Sequence, residues 1–599
     1  MPMSVPTPRV GPRALLPALV VLVVGHAALI VSRTYLPGGD WAFIDLRTRD
    51  VLSTHTPLTG AWSRYGWNHP GPFLYDALAL PRLLAGGSWR GVWFGAMLLN
   101  LAAVVTAWWL AGLRSARWAA VVVVAACWTV AAATPLIWSD PWNASVVILP
   151  LLAIAASVVA VRGGDRRGVA VAAVVSVAVT QTHVAYGVLV LPAVVLVGVV
   201  GWRRWRRWTA VWIGVAAALC TPLVVDTVVH WPGNLWRAVR FTATSDEPAT
   251  SLGQLARVVG RSTSLTFVSS PRLPSFAAVV GDTPWGAAPF ALLVLTGGAW
   301  WLAHRSGWQL WVHACEAVSL LWLGGVLMTW RTRGPLLVWL TTWTVVVAAL
   351  TWCVVVGVAV QWCARAARRS DDQGVTEAPS GAAVAGAGRS EVDSDRWSSA
   401  VVGAAGSIAL ALAVVNVVGS VGVGYPFQEF TPVVEQFAAA ALPVVDEPTL
   451  IDLAGPEYEA GAVQSALIAR LVDLGARPLG RPDQSLQLGG HRAASSLEGR
   501  RLVVQVEPRS APPQGGRPLS TWDPLSADER AEADALIDEL TTLLESAGLA
   551  DRVALLANEQ APLAAFDAPE AITSRRASFE RLGALHQRGP RIVLYLVEG

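Results

Sequence analysis

Runs of about 20 apolar residues recur through the first 421 residues of this chain, and each can cross a hydrocarbon core of about 30 Å. Taking them as spans gives 14–33, 91–113, 116–136, 144–161, 168–182, 184–201, 209–229, 286–303, 308–328, 335–360 and 399–421, about eleven in all. Composition agrees: 54% of residues are hydrophobic and only 15% charged, where a soluble protein carries about 25%. The fold class expected is a polytopic α-helical membrane protein. A net charge of +3 gives no reason to expect a nucleic-acid partner. The five cysteines (127, 220, 315, 353 and 363) fall in or beside apolar runs, without metal-ligand or disulfide spacing, and read as small buried hydrophobes. The first run, from about Leu15 to Ser32, is longer than a signal-peptide core and reads as a retained span.

Arginine placement orients the spans. With the N-terminus cytoplasmic, the inside loops are Arg114–Arg117, Arg162–Arg167, Trp202–Trp208, His304–Gly307 and Cys363–Trp397, which hold nearly every arginine cluster. WRRWRRW at 202–208 reads as an interface anchor. The pair Arg331 and Arg333 falls outside, against the rule. The domains expected are 1–362, a transmembrane domain with a large first outer loop at 34–90; 363–398, a flexible cytoplasmic linker; 399–421, the last span; and 425–599, an extracytoplasmic domain. In that last part, β-like runs at Thr449–Leu453, Arg501–Val506 and Arg591–Val597 alternate with helical ones, and Ser526 with Glu529 forms a capping box. This describes a small α/β domain.

The stretch from Gly38 to Asp76 interrupts the apolar pattern with Asp40, Asp45, Asp50, Asp76, His55, His69, Arg47, Arg49 and Arg64. Asp40 closes the first span, and a carboxylate at that depth is a functional candidate unless it merely caps the helix. Asp45 and Asp50 lie on AFIDLRTRDVL, an amphipathic stretch expected to rest in the interface, where Asp–Arg pairing is the plainer role. His69 follows Asn68 and precedes a proline, and Asp140 also precedes a proline, so each has a turn as its alternative. Other outer loops supply Asn143, Gln181 and His183, Arg237 and Arg240 in the loop expected at 230–285, and Arg331 and Arg333. Acid, imidazole, amide and guanidinium from five distant stretches thus fall on one side of the membrane. A carboxylate can act as base on an acceptor hydroxyl, and arginines can hold a phosphate through paired hydrogen bonds. Trp67, Trp138 and Trp142 offer faces on which a sugar ring packs. Together they describe glycosyl transfer from a lipid-phosphate sugar, whose leaving phosphate needs its growing charge stabilised.

The residues Gly39-Asp40, Asn68-His69-Pro70-Gly71-Pro72 and Asp140-Pro-Trp-Asn143 occur in an order that resembles the GT-C superfamily of polyprenyl-phosphate-dependent glycosyltransferases, especially its protein O-mannosyltransferase and aminoarabinose transferase branch. The resemblance covers roughly residues 14–360. It implies a GT-C-like transmembrane fold and an inverting transferase with Asp40 as base, Asp140 and His69 completing the catalytic set. Asp45, Arg64, Asn68, Asn143, Gln181, His183, Arg331 and Arg333 would then bind the donor phosphate or substrate. It also implies a divalent cation, Mg or Mn, with Asp40, Asp140 and His69 as candidate ligands. Two departures stand out: the family's Asp-Glu pair is Asp40-Trp41, leaving Asp45 as the nearest substitute, and His-Pro-Pro becomes His-Pro-Gly-Pro. The partners expected are the lipid-linked sugar donor, a cell-envelope glycan, lipid or protein acceptor, and membrane lipids. The Ala, Val, Arg and Trp bias suggests a high-GC bacterial genome, which with a polyprenyl donor points to cell-envelope glycan assembly; the location expected is the plasma membrane. The rival readings are a transporter or flippase of lipid-linked glycans, which would place ionisable residues mid-span, and a non-catalytic envelope scaffold.

Overall fold

Among the described residues, seven helices are long and apolar enough to cross a membrane, including Trp89–Gly112, Gln309–Arg331 and Ser399–Val421. Two shorter apolar helices, Ala116–Ala132 and Arg167–Thr182, add to them. The chain is a polytopic α-helical membrane protein. The computed structural model describes residues 12–269, 285–375, 386–445, 447–455, 458–507, 512–557, 560–565 and 569–598, with side chains of 368–398 left aside. The middle of the expected linker, and part of the outer loop expected at 230–285, lie outside the described residues. Helices Trp343–Val375 and Gly386–Val421 border the former.

The chain divides into two units. The first holds the residues up to Arg33 and Arg47–Gly424. Its central helix, Pro150–Arg162, is buried from Leu151 to Val161. The small residues Ala153, Ala155, Ala156, Ser157 and Ala160 let its neighbours approach closely, as lipid-immersed helices require in place of a hydrophobic drive. The runs expected at 184–201 and 209–229 meet with no loop between them. Helical backbone runs from Val184 to Leu219 and breaks only at Trp205 (φ −142°, ψ 54°). WRRWRRW is therefore the corner of a helical hairpin, fastened by Trp208 Nε1 donating to Arg166 O and Arg204 donating to Val161 O. The second half runs back until Leu219 O meets Gln181 Nε2 at 2.6 Å.

The second unit comprises Thr34–Leu46 and Tyr425–Gly599. Its five-stranded sheet has the order β4-β3-β5-β7-β6, from β3 (Thr449–Ala454), β4 (Pro478–Leu479), β5 (Arg501–Glu507), β6 (Gly516–Trp522) and β7 (Arg591–Val597). Strands β1 (Trp62–Ser63) and β2 (Trp67–Asn68) form a hairpin in the first unit. Strand β3 pairs parallel to β4 and β5, while β7 pairs antiparallel to β5 and β6. One sheet face buries Leu502, Val504, Ile592 and Leu594 against Phe437 and the helix Tyr458–Asp473. Ala42 and Leu46, one turn apart on the helix Gly39–Arg49, enter the same core. This corrects the interface reading of AFIDLRTRDVL: an amphipathic stripe fits a protein core as well as a lipid surface, and here the core takes it.

Candidate functional site

In the first unit the site is built on a short hairpin, β1–β2, with Trp62 opposite Asn68. The pairing continues through Gly60 N donating to His69 O and His69 N donating to Ala61 O, both at 2.8 Å. Two glycines allow the close approach. A Cβ on Gly60 would lie 2.6 Å from Gly71 O and 2.9 Å from Gln181 O, and one on Gly71 would lie 2.4 Å from Gln181 Oε1. The departure to His-Pro-Gly-Pro thus has a local cause: the buried Gln181 side chain fills the space that any larger residue at 71 would need.

The hairpin is held from outside by a residue 166 positions away in the chain. Asn68 N donates to Asn234 Oδ1 at 2.7 Å, and Asn234 Nδ2 returns a bond to Asn68 O at 2.6 Å. Asn234 is itself fixed by its backbone N–H, which donates to Asp226 Oδ2 at 2.8 Å, while Asp226 Oδ1 lies 3.0 Å from His230 Nδ1. The Asn68 side chain donates to Thr59 Oγ1. Asp226 and Asn234 were not among the predicted site residues. A lone aspartate closing a Val-rich run was the available signal for Asp226.

This frame brings His69 against His183, with ring centroids 4.4 Å apart and both imidazoles buried. His69 Nδ1 accepts from Val184 N at 3.3 Å. In the neutral ring the proton then sits on Nε2, making His69 a hydrogen-bond donor on that side. Burial, and secondly His183, hold its pKa well below the usual imidazole value. Trp67 meets His69 edge-on, Tyr186 and Trp339 flank His183, and Trp339 lies 5.1 Å from Trp142. Asn68, His69, Gln181 and His183 therefore come together, and the aromatic chain reaches the loop of Asp140 and Asn143.

Asp140 does what its proline suggested. Its Oδ1 accepts from Trp142 N at 3.0 Å and its Oδ2 from Ser145 Oγ at 2.7 Å, capping the turn in which buried Asn143 sits. Arg64 stacks over Tyr65 and donates to Pro335 O at 2.9 Å and Arg333 O at 3.3 Å, so it shapes the segment carrying Arg333. Tyr65 in turn stacks on Phe241 at 4.4 Å. Among the described residues, the guanidinium groups of Arg331 and Arg333 have no hydrogen-bond or ion-pair partner.

Asp40 and Asp45 belong to the second unit. Asp40 is half-buried in the first turn of Gly39–Arg49, and Gly39 N donates to Ser465 Oγ at 2.7 Å. Partial burial and then the carboxylates of Asp40, Glu429 and Glu459 push the Tyr458 hydroxyl pKa up. Asp45 is buried. Among the described residues, no three His, Cys, Asp or Glu side chains converge on a point that could hold a metal ion. Both Asp140 oxygens and His69 Nδ1 accept internal hydrogen bonds.

No family model and no curated protein sequence matches the chain. Solved structures similar to it include ArnT from Cupriavidus metallidurans in the apo state, at 13% identity and a TM-score of 0.47, over 82% of this chain and 92% of that one. ArnT bound to undecaprenyl phosphate gives 13% and 0.44, over 85% and 95%. The Archaeoglobus fulgidus oligosaccharyltransferase in the apo form gives 11% and 0.38, over 78% and 65%.

Proposed function

We propose that this protein is an integral-membrane glycosyltransferase that moves a sugar from a polyprenyl-phosphate donor to a cell-envelope acceptor on the extracytoplasmic face. In this reading the N-terminus is cytoplasmic and the C-terminal α/β domain extracytoplasmic. The observation that carries the reading is the assembly in the first unit. Loops from three distant parts of the chain set two buried imidazoles 4.4 Å apart among aromatic faces, and the end of Gln309–Arg331 offers two arginines, Arg331 and Arg333, without a side-chain partner among the described residues. Unpaired cations at a helix end suit an anion supplied from outside, and the guanidinium fork matches a phosphate.

The chemistry follows from the residue types. The acceptor oxygen attacks the anomeric carbon as the bond from that carbon to the phosphate oxygen breaks, and the electron pair leaves with the phosphate. Arg331 and Arg333 stabilise the charge growing there, with Arg64 fixing the backbone that presents Arg333. His69, neutral and carrying its proton on Nε2, donates a hydrogen bond rather than accepting the acceptor's proton. Asp40 is the proposed base for that proton, which makes the reaction a single inverting displacement. The tests are Asp40→Asn, and Arg331→Ala with Arg333→Ala, in a transfer assay on reconstituted protein. Loss of transfer with normal expression supports the assignment; full activity in Asp40→Asn removes Asp40 from it. A lipid-linked glycan that crosses proteoliposomes chemically unaltered would favour a flippase instead.

A further inference from the structure

The loop 133–142, which carries Asp140 and Trp142, is buried from residue 136 onward: Leu136, Ile137, Trp138 and Ser139 are each at most 6% exposed. A buried loop needs partners for its peptide groups, and inside a membrane protein water cannot be assumed to supply them. Here side chains from two helices supply them. Asn100, on Trp89–Gly112, donates through Nδ2 to Ile137 O at 3.2 Å and Trp138 O at 3.1 Å. Asn416, on Gly386–Val421, donates through Nδ2 to Val130 O and Pro135 O, both at 2.9 Å, and Ser420 Oγ donates to Pro135 O at 2.8 Å.

A third helix, Leu16–Ser32, links this set to the loop's own side chain. His26, fully buried, has Nε2 2.9 Å from Asn416 Oδ1 and Nδ1 2.9 Å from Ser139 Oγ. The hydrogen-bond inventory fixes the directions. Asn416 uses its amide hydrogens on two carbonyls, so its Oδ1 must accept and His26 Nε2 must carry a proton. In the neutral ring Nδ1 then accepts, and Ser139 donates to it. One imidazole thereby orients the Asn416 amide and the Ser139 hydroxyl together, and Ser139 is the residue before Asp140. A polar residue within an apolar span is retained at a cost, and this one makes contacts that only a group with a donor and an acceptor on opposite edges could make.

We propose that His26 is a positioning residue for the 133–142 loop, acting through Ser139 and Asn416 to place Asp140 and Trp142 for the transfer reaction. The proposal rests on the functional reading above, so its primary test does not depend on activity. A cysteine reporter is introduced at Leu136 and its maleimide labelling is mapped by mass spectrometry, with native, buried Cys315 as internal control. With His26 in place, position 136 resists labelling. His26→Phe, apolar and of similar bulk, should speed labelling there roughly tenfold while Cys315 stays protected. His26→Gln, which keeps one donor and one acceptor, should restore most of the protection. In a transfer assay, His26→Phe should lower kcat while leaving the donor KM unchanged. Protection at 136 that survives His26→Phe, or equal exposure of 136 and Cys315, would overturn the proposal. A protein that transfers no sugar in any form would refute the transferase reading, while the labelling still decides whether His26 holds the loop.

Discussion

Replacing Asn234 by alanine tests the frame of the site most directly. Its side chain exchanges two hydrogen bonds, of 2.7 and 2.6 Å, with the backbone of Asn68, where both residues are buried. Alanine removes both but keeps its own backbone bond to Asp226. Each buried group deprived of its partner costs about 1–3 kcal/mol, so the hairpin end should lose roughly 2–6 kcal/mol, less if water enters the space. The readout is amide exchange in a peptide covering residues 66–72. A loss of 2 kcal/mol speeds exchange by on the order of thirtyfold when local opening governs it. Asn234→Asp should be worse than alanine, because it sets a carboxylate oxygen against Asn68 O and near Asp226. Asn68→Ala should be milder, since the exchange runs through the Asn68 backbone. Exchange at 66–72 in Asn234→Ala that matched the unmodified protein would refute the claim that Asn234 holds the hairpin.

Other expected outcomes follow from the same geometry. Gly60→Ala should destabilise the first unit by about 1–3 kcal/mol, read as a lowered melting temperature, because the new methyl meets two backbone carbonyls and neither can move independently. Gly71→Ala should destabilise as well, because the methyl meets Oε1, Cδ and Cγ of buried Gln181, whose Nε2 is tied to Leu219 O. His69 has a folded-state pKa below its unfolded value of about 6.5, so its contribution to stability is present above pH 6.5 and lost as pH falls below it. The slope should approach 1.4 kcal/mol per pH unit until the folded-state pKa is reached, and thermal melts of His69→Asn across pH 5–8 should lack that component. Removing Arg331 or Arg333 should raise the donor KM by roughly tenfold or more each, as loss of a charge-assisted hydrogen bond would.

The membrane-spanning helices were legible because 20-residue apolar runs have few other uses, and the strands near Thr449, Arg501 and Arg591 showed in their β-branched and apolar runs. The hairpin corner at Trp205 was harder to see. A run of arginines and tryptophans marks a change of direction but gives no loop length. Asn68, His69, Gln181 and His183 could be named from sequence as polar residues in apolar surroundings, yet their mutual contact could not. The bond between Asn68 and Asn234 spans 166 positions and leaves no periodic trace. Asp140 was open to two readings, and the hydrogen bonds from Trp142 and Ser145 give the turn its physical basis. The helix Gly39–Arg49, which holds most of AFIDLRTRDVL, reads as interfacial in sequence because its apolar and charged residues state only that one helix face is dry.

That segment bears on how the protein is made. Gly39 leaves the ribosome 426 residues ahead of its partner Ser465. Ala42 and Leu46 must therefore wait through the insertion of every remaining span before the sheet that covers them exists. Domains generally fold as units once their chain is complete, so truncation anywhere before β7 would strand an apolar stripe beside the first span. A core begun at Ala42 and Leu46 is thus closed only when β7 follows, after every span between them has been made.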